Sequence, residues 1–253
     1  RTDEATTLTL YESGIDSLFN FPASDSTGRF VKAALAGKSS TVSAAQADWH
    51  ARIRAVSPAS VDAPFVSNHA LARARGLLRS QVPNENAAAL LYLLMPGVPT
   101  VYYGEELGMS GSGSDENKRL PMVWSSDAAT QCKAPAAADQ AQRLTDGVAE
   151  QDSDPDSLLN WYRQLIALRN LAPELTRGEM TALDGGNDAI CAYTVTDAGS
   201  TVAIGSYVSL KGTLTVSLDV LRGAELLGGI GGAAFADGTA NLPPLSGMIV
   251  RLP

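Results

Sequence analysis

Polar side chains suited to binding or proton transfer lie where two predicted strands end. Asn68 and His69 follow an apolar run at residues 63–67, and Glu105 and Glu106 follow another at residues 99–103. An imidazole can donate or accept a hydrogen bond, and paired acids at the end of a strand often do acid/base work. Residues of these types, on loops that a scaffold holds in place, are the candidates for chemistry in this chain.

Strand and helix signals alternate through the part of the chain that carries these candidates. Strands are predicted at residues 15–21, 63–67 and 99–103, and helices at residues 29–36, 43–56, 84–94 and 155–170. Asn84 is predicted to cap the third helix and Asp154 the fourth. The alternation is typical of a parallel α/β architecture. Three parallel strands leave exposed edges, so we expect this unit to need further strands from a sheet or barrel.

The pattern changes after residue 173. Short β-like runs separated by Gly and Asp appear at residues 190–196, 201–208, 213–218 and 247–252. Strands with this spacing indicate a small antiparallel sandwich. The sequence therefore predicts two units, one at residues 1–173 and one at residues 174–253.

Composition excludes several classes of function. The 253-residue chain is 45% hydrophobic and carries a net charge of −8, which repels nucleic acid and anionic membrane surfaces and favours a neutral ligand. It contains no apolar run of about 18 residues, so no membrane insertion is expected. Cys132 and Cys191 form no metal-ligand pattern, and no metal site or cofactor is predicted. The two cysteines are either one disulfide or two buried thiols, and the second alternative is favoured.

Three stretches in fixed order point to one family. They are PFVSNHALAR at residues 64–73, MPGVPTVYYGEELGM at residues 95–109 and KRLPMVW at residues 118–124. Together they resemble the α-amylase family of glycoside hydrolases (family 13 type), and IDSLFNFP at residues 15–22 is similar to the sixth barrel strand of its members. The resemblance implies that residues 1–173 form strands six to eight of a (β/α)8 TIM barrel and that residues 174–253 form the C-terminal β-sandwich.

The resemblance also implies that this chain holds only one edge of a catalytic centre. Retaining glycosidases use a nucleophilic carboxylate and an acid. In this family they lie on barrel strands four and five, which we do not recognise in the sequence. The chain is therefore expected to need an N-terminal part carrying strands one to five, which is also where a calcium ion, present in many relatives, is expected to bind.

Site residues follow from the resemblance position by position. His69 matches the histidine that hydrogen-bonds the sugar in the cleavage subsite, and Asn68 matches the residue that orients it. Arg73 and Arg119 are grouped with His69 and Asn68 as substrate-binding residues. The alternatives for Arg73 are an ion pair with a barrel carboxylate and a structural role, and Arg119 is expected to bind sugar hydroxyls or to pair with an acid from the absent part. Further candidates are two acids expected to hold loop geometry and three aromatic residues able to stack on sugar rings or pack in the core, namely Glu105, Glu106, Tyr102, Tyr103 and Trp124.

Ala70 departs from the family pattern, which has an aspartate that stabilises the transition state. Without that carboxylate little or no turnover is expected, even from a complete enzyme. The intact neighbours Asn68, His69 and Arg73 favour a deliberate inactivating substitution; natural decay and a tolerated residue in a misaligned segment remain open.

The leading hypothesis is an α-amylase-type hydrolase of α-1,4-glucan (starch and malto-oligosaccharides) in a silenced form. The alternatives are a non-catalytic α-glucan-binding protein and a transglycosylating or α-1,6-acting relative. Residues 108–125 resemble those of secreted members, so an extracellular or cell-surface location is expected.

Overall fold

The computed structural model describes residues 3–142 and 144–253. Its helices are α1 (Glu4–Glu12), α2 (Arg29–Ala36), α3 (Ser40–Val56), α4 (Ala74–Leu77), α5 (Val82–Leu93), α6 (Asp115–Lys118), α7 (Val148–Ser153), α8 (Leu158–Arg169) and α9 (Glu174–Arg177). Its strands are β1 (Ser17–Phe19), β2 (Val61–Ala63), β3 (Glu179–Leu183), β4 (Ile190–Asp197), β5 (Ser200–Tyr207), β6 (Leu214–Ser217), β7 (Glu225–Ile230), β8 (Ala234–Ala236), β9 (Thr239–Leu242) and β10 (Ser246–Arg251).

The four predicted helices are present, but two predicted caps are wrong. α5 begins two residues before Asn84, with Pro83 in its first turn, and the Asn84 amide donates to the carbonyl oxygen of Leu78 at 3.0 Å. α8 begins at Leu158, where the Ser157 hydroxyl accepts from the Asn160 backbone N–H at 3.2 Å. In both helices other residues account for the backbone N–H groups of the first turn. Proline has no N–H that needs a partner there, and a serine hydroxyl caps a helix as well as an aspartate carboxylate does.

The parallel strands differ from their predicted bounds: β1 is shorter, β2 precedes its predicted range and shares only Ala63 with it, and residues 99–103 are not assigned as a strand. β1 and β2 pair in parallel from Ser17–Val61 to Phe19–Ala63. The third segment runs beside β2 with two backbone bonds, from Val98 N–H to the Asp62 oxygen (2.8 Å) and from Thr100 N–H to the Pro64 oxygen (2.9 Å). These segments leave part of their apolar surface uncovered, since Phe19 packs on Phe65 with ring centroids 4.9 Å apart yet stays 38% exposed.

A buried carboxylate ties β2 to the helix that precedes it. The Asn20 amide donates to Asp62 Oδ2 at 2.8 Å, and the Trp49 indole N–H donates to Asp62 Oδ1 at 3.1 Å. Both donors come from elements that flank β2, so the charge is hydrogen-bonded where water does not reach.

The predicted antiparallel sandwich is present and has more strands than predicted. One sheet has the order β3-β4-β5-β10-β7 and the other the order β6-β9-β8. Ile190 and Met248 of the first sheet share a core with Val216 and Leu242 of the second. The sequence analysis missed β3, β7, β8 and β9, because glycines and short exposed runs weaken the strand signal there.

The five-stranded sheet is buried on its other face as well. Cys191, Tyr193 and Val195 of β4 join the core formed by α2, α5 and α8, and the Tyr193 hydroxyl donates to the Leu94 oxygen at 2.7 Å. Two sheet glycines lie close to these helices: a Cβ on Gly228 would stand 2.9 Å from Leu168 Cδ1, and one on Gly247 would stand 2.8 Å from Leu90 Cδ1. The two predicted units therefore share one core along this sheet.

The cysteines do not pair. Cys191 is a buried thiol, whose pKa burial raises to about 12, whereas Cys132 is exposed and free. The prediction of two buried thiols is therefore right for Cys191 and wrong for Cys132. Across residues 3–142 and 144–253, no helix is long and apolar enough to cross a bilayer.

Gly97 begins the third parallel segment in a conformation that only glycine adopts easily. Its φ is +107°, and an added Cβ would stand 2.2 Å from the Asp62 carbonyl oxygen. We expect Gly97→Ala to lower the free energy of unfolding by about 2–3 kcal/mol, measured by urea denaturation. Gly186→Ala is the control, because Gly186 has φ +69° with no atom within 4 Å of the added Cβ. This control variant is expected to lower the free energy of unfolding by about 1 kcal/mol. Equal losses in the two variants would contradict the proposed steric clash.

Candidate active-site edge

The turn after the second parallel segment is held by Asn68. Its Oδ1 accepts the backbone N–H of Ala70 at 2.8 Å and that of Leu71 at 3.1 Å. Asn68 is buried, whereas His69 and Ala70 are exposed. An asparagine that bonds the backbone two residues on stabilises a tight turn. The Asn68 amide oxygen thus fixes the turn, and the His69 imidazole is the group presented to solvent.

Ala70 lies at the exposed tip of this turn and has only a methyl group there. Its carbonyl oxygen accepts from the Lys118 ammonium at 3.2 Å, and the same ammonium lies 3.1 Å from Asp115 Oδ1. Lys118 thereby ties the turn to α6. Our sequence analysis missed Lys118; the available signal was its position beside Arg119 in the KRLPMVW stretch.

Arg73 lies inside the protein rather than at the ligand side. Only 1% of its surface is exposed, and its guanidinium lies 4.8 Å from the ring centre of Tyr102 and 4.6 Å from that of Tyr103. Nη1 donates to the Tyr103 carbonyl oxygen at 2.6 Å, and burial lowers the pKa of the group. A side chain buried in this way does not reach a ligand in solvent, so its position suits the structural alternative over a substrate contact.

Tyr102 and Tyr103 also hold the loop that follows them. The Tyr102 hydroxyl donates to the Lys118 oxygen at 3.1 Å, and the Tyr103 hydroxyl donates to the Leu120 oxygen at 2.7 Å. With Arg73 stacked on both rings, the loop over the site is fixed to the end of the third parallel segment. Trp124, by contrast, is 52% exposed.

Arg119 lies on the exposed side of this loop. Its side chain is 46% exposed, and Nη2 lies 2.9 Å from Asp115 Oδ2. The hydrogen bond from Lys118, with the charge of Arg119, lowers the pKa of Asp115. Asp115 thus pairs with both Lys118 and Arg119. Of Asn68, His69, Arg73 and Arg119, it is His69 and Arg119 that have exposed side chains.

Glu105 is fully enclosed. Its Oε2 accepts from the Ser67 hydroxyl at 2.7 Å, and its Oε1 accepts from the hydroxyls of Tyr92 (2.8 Å) and Tyr162 (2.9 Å). Burial raises the pKa of Glu105 to about 7 against the opposing effect of these hydrogen bonds. Burial also raises the pKa of the neighbouring Glu106. Glu105 is therefore an internal anchor, in agreement with the expectation that Glu105 and Glu106 hold loop geometry.

Among the residues that the structure describes, no three His, Cys, Asp or Glu side chains come together as metal ligands.

Comparison with known proteins finds alpha-amylases both by family model and among curated relatives. A family model described as the catalytic domain of alpha amylase matches residues 2–178. Alpha-amylase 3 of Dictyoglomus thermophilum is 31% identical over 134 residues, which cover 52% of this chain and 27% of that protein. Alpha-amylase SusG of Bacteroides thetaiotaomicron is 37% identical over 123 residues, covering 48% of this chain and 18% of that protein.

A solved structure matches the full length of this chain. Eubacterium rectale Amy13B has a TM-score of 0.91 and 31% identity, covering 100% of this chain and 51% of its own. The chain therefore spans about half of that solved relative, and its alignments cover about a quarter or less of the two curated ones.

Proposed function

Since the chain belongs to the α-amylase family of glycoside hydrolases, we propose that it is the C-terminal part of a retaining enzyme that acts on α-1,4-glucans such as starch and malto-oligosaccharides. The observation that carries the proposal is the exposed His69 imidazole on a turn fixed by Asn68 at the end of a parallel strand. An imidazole placed there can hydrogen-bond a sugar hydroxyl, and the family match supports that ligand class.

The predicted fold is confirmed. β1, β2 and the segment that runs beside β2 correspond to strands six to eight of a (β/α)8 barrel, and a β-sandwich follows them. Ligands of such barrels bind at the carboxyl ends of the strands, which is where Asn68 and His69 lie. The assignment of residues 1–173 to the barrel and 174–253 to the sandwich domain remains our proposal.

The partner we propose is the remainder of the same barrel. It carries strands one to five, the nucleophilic carboxylate and the general acid, and it covers the apolar surface at Phe19. Any calcium ion of the enzyme binds within that part. The chain on its own is proposed to be inactive, because retaining hydrolysis needs two carboxyl groups about 5–5.5 Å apart.

Arg119 and His69 are proposed to bind sugar, with Asn68 as the residue that orients His69. Arg73 is proposed to hold Tyr102 and Tyr103, and through them the loop that carries Arg119. The protein is proposed to act outside the cell or at its surface, where a polymer that does not cross membranes is available.

Ala70 favours a second candidate function, a non-catalytic α-glucan-binding protein. The turn, His69 and Arg119 are all present, whereas the residue that stabilises the transition state lacks a carboxylate. Binding contacts made equally to substrate and transition state survive such a loss, and catalysis does not.

Binding of maltoheptaose by the full protein tests the ligand class shared by both candidates. His69→Ala is expected to weaken the affinity about 10-fold, because one buried hydrogen bond contributes about 1–1.5 kcal/mol. Titration calorimetry measures the change. Lys32→Ala, at an exposed position of α2, is the control and is expected to leave affinity unchanged. Equal affinity of the His69 variant and the unmodified protein would contradict the proposed role, and absence of binding to any α-glucan would contradict the proposed function.

A further inference from the structure

Glu105 joins four parts of the protein through one carboxyl group. It starts the helical turn Glu105–Leu107 after the last barrel strand. Ser67 reaches it from the end of the seventh strand, Tyr92 from α5 and Tyr162 from α8. The three donor–acceptor distances lie between 2.7 and 2.9 Å, which is the range of good O–H···O bonds.

Ser67 is the residue directly before Asn68. Its hydroxyl bond to Glu105 therefore fixes the backbone at the point where the site turn begins. Asn68 controls the turn from inside by accepting the N–H groups of Ala70 and Leu71, whereas Glu105 holds its starting point against α5 and α8. The place of the His69 imidazole depends on both anchors, because the chain leaves Ser67 and reaches His69 within two residues.

We propose that Glu105 is a positioning residue for glucan binding, whose carboxylate sets the location of Asn68 and His69 through the Ser67 hydroxyl. This inference rests on the proposed function, and it names a residue outside the sugar contacts. Glu105 itself is buried and touches no ligand.

The groups around Glu105 make this anchor sensitive to protonation. The ionisable groups that act on it are Tyr92 from α5, Tyr162 from α8 and Glu106 next in the chain, and none of these is a cation. A carboxylate accepts all three hydroxyl bonds, whereas a carboxylic acid has one oxygen that donates and accepts only weakly. Because the pKa of Glu105 is raised to about 7, we expect the anchor to be complete above pH 7 and weakened below it.

A single backbone amide reports on the anchor directly. Ser67–Asn68 is the only Ser-Asn pair in this sequence, so carbonyl-13C serine combined with 15N asparagine selects its amide signal when segmental labelling confines both isotopes to this part of the protein. We expect that signal to shift with a midpoint near pH 7 between pH 5 and 9. In Glu105→Gln the shift is expected to be lost, because the glutamine oxygen still accepts the tyrosine hydroxyls but does not titrate.

Glu85→Gln is the matched control. Glu85 is also buried with a raised pKa, but it pairs with Arg75 at 2.9 Å and has no contact with Ser67. This variant is expected to keep the amide transition. A transition that persists in Glu105→Gln would overturn the inference, as would an amide signal that does not shift in the unmodified protein.

Affinity for maltoheptaose across the same pH range gives the second readout. We expect binding to tighten severalfold from pH 5.5 to 8.5 in the unmodified protein and in Glu85→Gln, and to lose most of this dependence in Glu105→Gln. The same dependence in all three proteins would overturn the inference even if the amide responds. If no protein binds maltoheptaose, the proposed function fails, and the amide titration alone decides whether Glu105 holds the turn.

Discussion

Replacing Ala70 by aspartate in the full enzyme is expected to raise kcat/KM for starch by about 10²–10³-fold. The carboxylate would stand at the exposed tip of the turn, where the Asn68 amide oxygen already fixes the backbone and the Lys118 ammonium lies 3.2 Å from the residue 70 oxygen. One preorganised group aimed at developing charge contributes about 3–4 kcal/mol to the transition state. Release of reducing sugar from soluble starch measures the gain.

Ala70→Asn is the matched control for this substitution. Asparagine has nearly the same shape as aspartate but no charge, so it should recover little of the rate if charge in the transition state is what the site lacks. If the unmodified enzyme is already as fast as the Ala70→Asp variant, the hypothesis that Ala70 silences the enzyme is contradicted. If neither variant is active but the full-length protein binds maltoheptaose, the result favours the glucan-binding protein.

Replacing Arg169 by alanine is expected to cost about 3–5 kcal/mol of unfolding free energy. Nη1 donates to the carbonyl oxygens of Leu93 (2.9 Å) and Met95 (2.6 Å), and Nη2 donates to those of Gly97 (2.7 Å) and Leu175 (3.2 Å). The Leu93 oxygen belongs to the last residue of α5, where intrahelical donors are absent, and the Met95 oxygen lies just beyond the C-cap. Burial lowers the pKa of Arg169 to about 10, so the guanidinium stays protonated at neutral pH.

Arg163→Ala provides the comparison within the same helix. Arg163 pairs with Asp152 at the surface, with half of its side chain exposed, and exposed pairs contribute about 0–1 kcal/mol. Urea denaturation followed by circular dichroism measures both variants. A loss below about 1 kcal/mol for Arg169→Ala would show that water replaces the four hydrogen bonds without cost.

The sequence analysis predicted the fold well where a signal is local. The apolar stripe of α8 and the turn residues between β4 and β5 depend on spacing alone, and the structure has them close to the predicted bounds. The predicted ranges of the parallel strands extend past the paired residues, because the apolar runs continue beyond the last backbone pairing. Asn84 failed as a cap because Pro83 already suits the first turn of α5.

The site was predictable only in part, for a related reason. Motif spacing predicted Asn68 and His69 at a strand end and Arg119 in the loop after the third parallel segment. It did not reveal that Arg73 is enclosed by two tyrosine rings, or that Ser67, Tyr92 and Tyr162 meet at Glu105. These arrangements join residues up to 95 positions apart, from Ser67 to Tyr162, and a single sequence has no signal for that distance.

The close fit of Gly228 and Gly247 against Leu168 and Leu90 bears on how this β-domain can be inherited. A recombination event near residues 171–178 would bring in a foreign sheet. Side chains of that sheet at the positions of Gly228 and Gly247 would occupy the space that Leu168 and Leu90 now fill. The exchange would succeed only if α5 and α8 travelled with the sheet. Gene shuffling within such a lineage is therefore expected to keep the last barrel helices and the β-domain together as one evolutionary unit.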